Sequence, residues 1–231
     1  MKTVLITGAN RGIGLEHVAR YVKSGAKVFA GVRDVTKAEN LKRLADTYAG
    51  QILLFDYDAA DAGAPAAAKA AIKGASLDLV FANAGVYGDR NQQLGTIDAG
   101  DFANTLAINT IAPLRLVEAL VDEVGASARK IIAFQSSKMG SNADSRSGGS
   151  YVYRASKAAL NKIASTLAED LKPRGITVVT LHPGWVRTDM GGSGADISVA
   201  ECVDGQQALL RDLTLAKSGG FYNYDGDTIA W

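Results

Sequence analysis

Apolar residues in this chain come in two rhythms. Short runs such as Val4-Leu5-Ile6, Ile52-Leu53-Leu54-Phe55 and Ile176-Thr177-Val178-Val179 are separated by longer stretches with apolar positions at helical spacing. The short runs do not alternate polar with apolar, which suits strands buried on both faces of a parallel sheet. The pattern predicts strands at Thr3–Ile6, Lys27–Ala30, Ile52–Phe55, Leu77–Ala82, Ile131–Phe134 and Ile176–Leu181, with a last one near Gly220–Tyr222. Helical patterns fall at Gly12–Lys23, Lys37–Tyr48, Ala64–Lys73, Asp98–Val124, Ser150–Leu171 and Ser198–Leu213. A repeated strand–helix order builds an α/β fold with a doubly wound parallel sheet, here of about seven strands with helices on both faces.

Punctuation agrees with this division. Asp98, with Asp101 three positions on, is a helix start. Pro173 and Gly175 end the long helix before them, and Pro113 should kink the helix it interrupts. No repeat or linker divides the chain, so residues 1–231 are expected to form one domain. Two polar, Gly-rich stretches, 140–150 and 191–194, follow predicted strands at the sheet end where doubly wound folds place ligands. They read as walls of a substrate site, the second within a loop at about 184–200.

Composition narrows the classes. Lys plus Arg is 25 and Asp plus Glu is 24, so no net field calls for nucleic acid or an anionic membrane as a partner. The opening apolar run is too short for a signal peptide or a membrane span. The single cysteine, Cys202, allows no internal disulfide and reads as a packing residue between Glu201 and Asp204. A cytoplasmic location is the expectation.

Several motifs then carry chemistry. Thr7-Gly8-Ala9-Asn10-Arg11-Gly12-Ile13-Gly14 joins the first strand to the first helix. Missing side chains let backbone approach a pyrophosphate, and a helix N-terminus offers free N–H groups to it. Tyr153 and Lys157 stand one turn apart on a helix. With eight tyrosines in the chain, such a pair is expected by chance roughly 0.45 times, so placement at the start of a long helix gives it weight. An ammonium beside a phenol favours the phenolate and would lower its pKa towards working pH. Ser136 and Ser137 follow strand five, where a hydroxyl could polarise a carbonyl. Asn109 lies in a helical stretch beside Leu106, Ile108 and Ile111, an unusual place for an asparagine.

These motifs, with Asn83-Ala84-Gly85 and His182-Pro183-Gly184-Trp185-Val186-Arg187-Thr188-Asp189-Met190, occur in one order and at one spacing. They resemble the single-domain short-chain dehydrogenases/reductases, and the ending Gly219–Gly226 resembles the C-factor-type and sniffer-type carbonyl reductases. The resemblance implies a Rossmann fold, an oxidoreductase that moves a hydride between NADP(H) and a carbonyl or alcohol, and a homodimer or homotetramer. It implies that Tyr153 is the general acid/base and that Lys157 lowers its pKa and holds the nicotinamide ribose. A serine would polarise the carbonyl, and Asn109 would hold a water that relays protons. Gly8, Asn10, Arg11, Gly12, Ile13 and Gly14 would line the pyrophosphate and adenosine end, and Asn83, Ala84 and Gly85 the ribose. Pro183, Gly184, Val186 and Thr188 would border the nicotinamide. Asp58 matches the family's adenine contact, with Asp56 as a rival.

The family's usual strand-five run is Asn-Ile-Ser-Ser, and here it is Phe134-Gln135-Ser136-Ser137. Counting from the strand start selects Ser136, whereas counting back from Gly140 selects Ser137; the turn glycine is the firmer anchor, so Ser137 is the expected catalytic serine. NAD-preferring relatives carry an acid at the end of strand two. Here Arg33 stands at that place and, with Arg11, points to the 2′-phosphate of NADP(H). Asp34 reads as the start of the next turn. Two readings compete with a carbonyl reductase: an NAD-dependent alcohol dehydrogenase, and a dinucleotide-binding signalling protein without turnover.

Overall fold

A computed structural model describes residues 1–144 and 146–231. The strands are β1 (Thr3–Thr7), β2 (Lys27–Val32), β3 (Ile52–Asp56), β4 (Leu79–Ala82), β5 (Ile131–Gln135), β6 (Thr177–His182) and β7 (Phe221–Asn223). They form one sheet in the order β3-β2-β1-β4-β5-β6-β7, and every neighbouring pair is parallel. The helices are α1 (Gly12–Lys23), α2 (Glu39–Thr47), α3 (Ala64–Ile72), α4 (Ala99–Leu106), α5 (Ala112–Gly125), α6 (Tyr151–Leu171) and α7 (Val199–Arg211). No helix among the described residues is long and apolar enough to cross a membrane.

Successive strand residues go to opposite faces, which is why the runs do not alternate. Val4 and Ile6 pack with Val18, Leu41 and Leu210 of α1, α2 and α7; Leu5 packs with Ile72, Leu120 and Leu160 of α3, α5 and α6. Cys202 lies on α7. It is fully buried, and burial pushes its thiol up to about 12. Sequence order reverses between β1 and β4. The carboxyl ends of these strands splay there and open a crevice.

Several boundaries shift by a residue or two, and three differences have a local cause. The stretch 35–48 holds a 3-10 turn (Val35–Lys37) before α2, because Ala38 leaves helical angles at φ −90°, ψ 55°. Leu77 and Asp78 precede β4 rather than belonging to it; their N–H groups donate to Glu123 and Thr3. The expected kink at Pro113 takes the form of a π turn, Ala107–Ile111, between α4 and α5. Pro113 has no N–H for the Asn109 carbonyl, and its ring would crowd that carbonyl in a tight turn. The helix N-cap at Asp98 is as read, with its carboxylate accepting the Asp101 N–H at 2.6 Å.

Candidate active site

The crevice widens into a cleft of about 1430 Å³. At one end, Gly8 (φ 65°) and Gly12 (φ 52°) adopt the left-handed conformation, which glycine takes without steric cost. A Cβ on Gly14 would lie 2.2 Å from the Gly8 carbonyl oxygen, so only glycine fits there. Arg11 caps α1 with extended backbone and no side-chain cap bond. The first-turn N–H groups of α1 therefore have no side chain covering them. Asn83 bolts this turn to β4. Its Nδ2 donates to the carbonyls of Thr7 (3.0 Å) and Gly8 (3.2 Å), and the Ala84 N–H donates to the Thr7 hydroxyl at 3.1 Å. Asn10 and Ile13, within the same turn, and Ala84 and Gly85 also line the cleft, and a Cβ on Gly85 would lie 3.5 Å from Lys157 Nζ.

Arg33 follows β2 on the cleft rim, exposed, and makes no hydrogen bond or ion pair among the described residues. Asp34 is turned to other work. It accepts the Thr36 N–H and the Thr36 hydroxyl and pairs with Lys37 at 2.9 Å. Those partners hold its carboxyl down at about 2, the Thr36 bond first and Lys37 next. Lys37 also lines the cleft and adds a second cation at this rim, one that the residue pattern did not single out. Of the two rival acids, Asp58 lines the cleft and accepts the Ala60 N–H at 3.0 Å. Asp56 closes β3 and accepts the Val35 N–H at 2.8 Å, outside the cleft wall.

The opposite wall comes from 183–190. Pro183, Gly184, Val186 and Thr188 all line it. Gly184 has φ 79°. Thr188 reaches back to the glycine turn, where a Cβ on Gly12 would sit 3.3 Å from its methyl. Arg11 spans the cleft mouth to Asp189 at 2.6 Å, an exposed pair that solvent weakens. Trp185 donates its indole N–H to the Gly191 carbonyl at 2.9 Å and remains 54% exposed. Of the other expected wall, 140–150, Asp144, Arg146 and Ser147 line the cleft; Ser145 lies outside the described residues.

Tyr153, Lys157 and Ser137 converge on the cleft floor. Tyr153 is buried, and burial pushes its phenol up to about 12, partly offset by a hydrogen bond with the Ser137 hydroxyl. Lys157 Nζ donates to the Gln135 carbonyl at 2.9 Å and lies 5.7 Å from the Tyr153 ring centre. Burial pulls it down to about 8. The expectation that Lys157 holds the phenol low is thus not met in this arrangement. The ammonium is bonded to a main-chain carbonyl, and desolvation dominates both groups.

The two serines face different ways. Ser136 donates its hydroxyl to Asn161 Oδ1 at 2.6 Å, in the protein interior. Ser137 accepts the Met139 N–H at 3.2 Å and meets Tyr153. Asn109 does not line the cleft; it is fully buried behind the wall. Its Oδ1 accepts the Val86 N–H at 2.9 Å. Its Nδ2 donates to the Val86 carbonyl (2.8 Å) and to the Ser156 hydroxyl (3.0 Å), which in turn donates to the Tyr153 carbonyl at 2.8 Å. With the side chain committed in this way, the amide has little capacity left for the expected water.

Several residues beside these groups carry no motif. The Tyr87 ring stacks on Tyr153 with centres 4.8 Å apart, and Gln92 accepts the Tyr153 N–H at 2.9 Å. Under the floor runs a buried chain in which Gln206 Nε2 donates to Gln135 Oε1 at 3.1 Å and Gln206 Oε1 meets His17 Nε2 at 2.9 Å. It ties α1 and α7 to the end of β5, two residues before Ser137. One signal was available for Gln135: a polar residue replaces the family's isoleucine.

Residues 2–196 match the short chain dehydrogenase family. The C-signal of Myxococcus xanthus is 40% identical over 155 residues, which is 67% of this chain and 93% of that protein. The NADPH-bound carbonyl reductase from chicken fatty liver is 34% identical with a TM-score of 0.93, covering 100% of this chain and 99% of that one. The carbonyl reductase Sniffer of D. melanogaster is 32% identical, also with a TM-score of 0.93, and each chain is covered over its full length. The matched span takes in the glycine turn, Asn83–Gly85, Ser137, Tyr153 and Lys157, and this chain belongs to the short chain dehydrogenase family.

Proposed function

We propose that this protein is an NADPH-dependent carbonyl reductase. The observation that carries the reading is the convergence of Tyr153, Ser137 and Lys157 on one cleft floor, with a glycine turn at its other end. The cleft fits a dinucleotide. It has a left-handed glycine turn, uncovered N–H groups at α1, no carboxylate free at the end of β2, and Arg33 and Lys37 on that rim. Carbonyl reductase structures with NADPH or NADP bound, at 34% and 32% identity, support the same choice. NADPH, when bound, supplies the hydride for the carbonyl carbon.

The chain's own groups handle the oxygen. Ser137 donates a hydrogen bond to the carbonyl oxygen and stabilises the negative charge that develops there. Tyr153 gives its phenolic proton to that oxygen. Its high pKa keeps the proton in place at neutral pH, ready for transfer. Lys157, whose Nζ lies on the Gln135 carbonyl beside the cleft, would hold the ribose hydroxyls of the bound cofactor. Asn109 works from behind the wall: through Ser156 it ties the Tyr153 carbonyl to Val86 and so helps hold the start of α6 in place. Val186 and Thr188, on the opposite wall, would hold the nicotinamide end.

The 40% identity to the C-signal supports a second reading, a dinucleotide-binding signalling protein. Both are decided by following NADPH absorbance with a panel of activated aldehydes and ketones, and NADH in parallel. The reductase reading expects turnover that is faster with NADPH. NADPH binding without turnover on any carbonyl overturns it in favour of the second; a preference for NADH favours an NAD-dependent dehydrogenase. The same reading takes the protein as a cytoplasmic homodimer or homotetramer acting on small molecules.

A further inference from the structure

The loop between β4 and α4 inverts the usual rule of burial. From Asp89 to Asp98 every residue is exposed except Gln92, which is 2% exposed, while Leu94 in the same loop stands 85% exposed. A glutamine is rarely the one anchor of a loop, because a buried amide must satisfy two donors and an acceptor. Gln92 satisfies them. Nε2 donates to the carbonyls of Tyr87 at 2.8 Å and Asp89 at 2.6 Å, and Oε1 accepts the N–H of Tyr153 at 2.9 Å.

That N–H belongs to the first turn of α6, where no intrahelical acceptor exists. The N-cap residue, Ser150, is left-handed at φ 53° and gives no side-chain cap bond. Its hydroxyl is instead bonded to the Tyr87 hydroxyl at 2.7 Å. Gln92 therefore caps α6 from 61 residues away, at the residue that carries the phenol. The ring of Tyr87, whose main-chain carbonyl the same amide holds, stacks on Tyr153 at 4.8 Å with 29° between the planes.

We propose that Gln92 and Tyr87 form a clamp that positions Tyr153: Gln92 fixes its backbone and Tyr87 fixes its ring. Both are positioning residues, acting through Tyr153. The inference rests on the carbonyl-reductase reading. It adds that the geometry of the phenol is set by this loop as well as by α6.

The test starts with wild-type turnover of NADPH and an activated carbonyl, then compares Gln92→Met, Tyr87→Leu and Tyr87→Phe. Methionine keeps the length of Gln92 and removes every hydrogen bond. The clamp predicts that Gln92→Met lowers kcat about tenfold to a hundredfold, as misplacement of a reacting group does. The NADPH Kd should stay near the wild-type value, and the primary isotope effect with deuterated NADPH should rise as chemistry becomes rate-limiting. A purely structural role would lower Tm and leave kcat and the isotope effect of the folded enzyme unchanged, which overturns the clamp. Should Gln92→Met fail to fold, Tyr87 decides, since it is half-buried at the cleft wall. Tyr87→Leu must lower kcat, and Tyr87→Phe, which keeps the stacked ring, must retain more activity; equal, wild-type rates in both overturn the clamp. A wild type that turns over no carbonyl overturns both this inference and the reading beneath it.

Discussion

Ser136 donates its hydroxyl to Asn161 Oδ1 at 2.6 Å, inside the protein, and this leaves Ser137 as the neighbour of Tyr153. Ser137→Ala is expected to lower kcat by about 10²–10³, the cost of losing one donor to a developing oxyanion. Ser136→Ala should act on stability instead, because it leaves a buried Asn161 acceptor without its partner. Steady-state kinetics and thermal unfolding of both variants check the assignment; the reverse order in kcat would move the role to Ser136.

Cofactor choice is expected to rest on Arg33 more than on Arg11. Asp34 is engaged by Thr36 and Lys37, and Arg11 is engaged by Asp189, whereas Arg33 makes no such bond among the described residues. Arg33→Ala should narrow the ratio of kcat/KM for NADPH over NADH by about tenfold or more, the worth of a charge-assisted bond. Arg11→Ala should narrow it less. A ratio unchanged in both variants would remove the 2′-phosphate from this rim.

Lys157 gives the pH profile its high-pH limb. Burial lowers it to about 8, while Tyr153 is raised to about 12. As pH rises through about 8 the ammonium is lost before the phenol ionises, so kcat/KM for NADPH, which reports groups of the free enzyme, should fall there. In Lys157→Ala that limb should vanish and NADPH should bind more weakly. A wild-type profile flat from neutral pH through the Lys157 range would contradict this.

Much of the site was legible in the sequence because its residues act through backbone rules. Gly8, Gly12 and Gly14 are forced by left-handed angles and a 2.2 Å approach, and Asn83 by the turn it bolts. What stayed hidden depends on side chains that meet only in three dimensions. Nothing in the residues around Gln92 marks it as the buried member of an exposed loop, and Gln206 and His17 meet across 189 positions. The Tyr153–Lys157 spacing was readable. The direction of the ammonium was not, because it depends on the carbonyl of Gln135, supplied by a different element. Likewise Pro113 announced a disturbance, while the π turn that absorbs it depends on Asn109 and Thr110 both bonding Ser156.

Acid should loosen the fold through its buried imidazoles. His17 is fully buried, and burial lowers it to about 4 from an ordinary 6.5; His182 is lowered to the same value by burial. Because the unfolded chain takes up these protons first, stability is full above about pH 6.5 and is lost as pH falls towards 4, by about 3 kcal/mol for His17. Tm measured at pH 7, 5.5 and 4.5 checks the slope, and His17→Gln, which can still donate to Gln206, should flatten it. A wild-type Tm that does not change across this range would contradict the neutral, buried His17.

The central claim, that the Tyr153 phenol delivers the proton in carbonyl reduction, is tested most directly by Tyr153→Phe. The substitution removes one hydroxyl from a packed ring and leaves the glycine turn, Arg33 and Lys157 in place. Turnover of NADPH on a carbonyl that the wild type reduces is followed together with the NADPH Kd. The account predicts a loss of about 10²–10⁴ in kcat with NADPH binding retained; near wild-type turnover in the variant would contradict it.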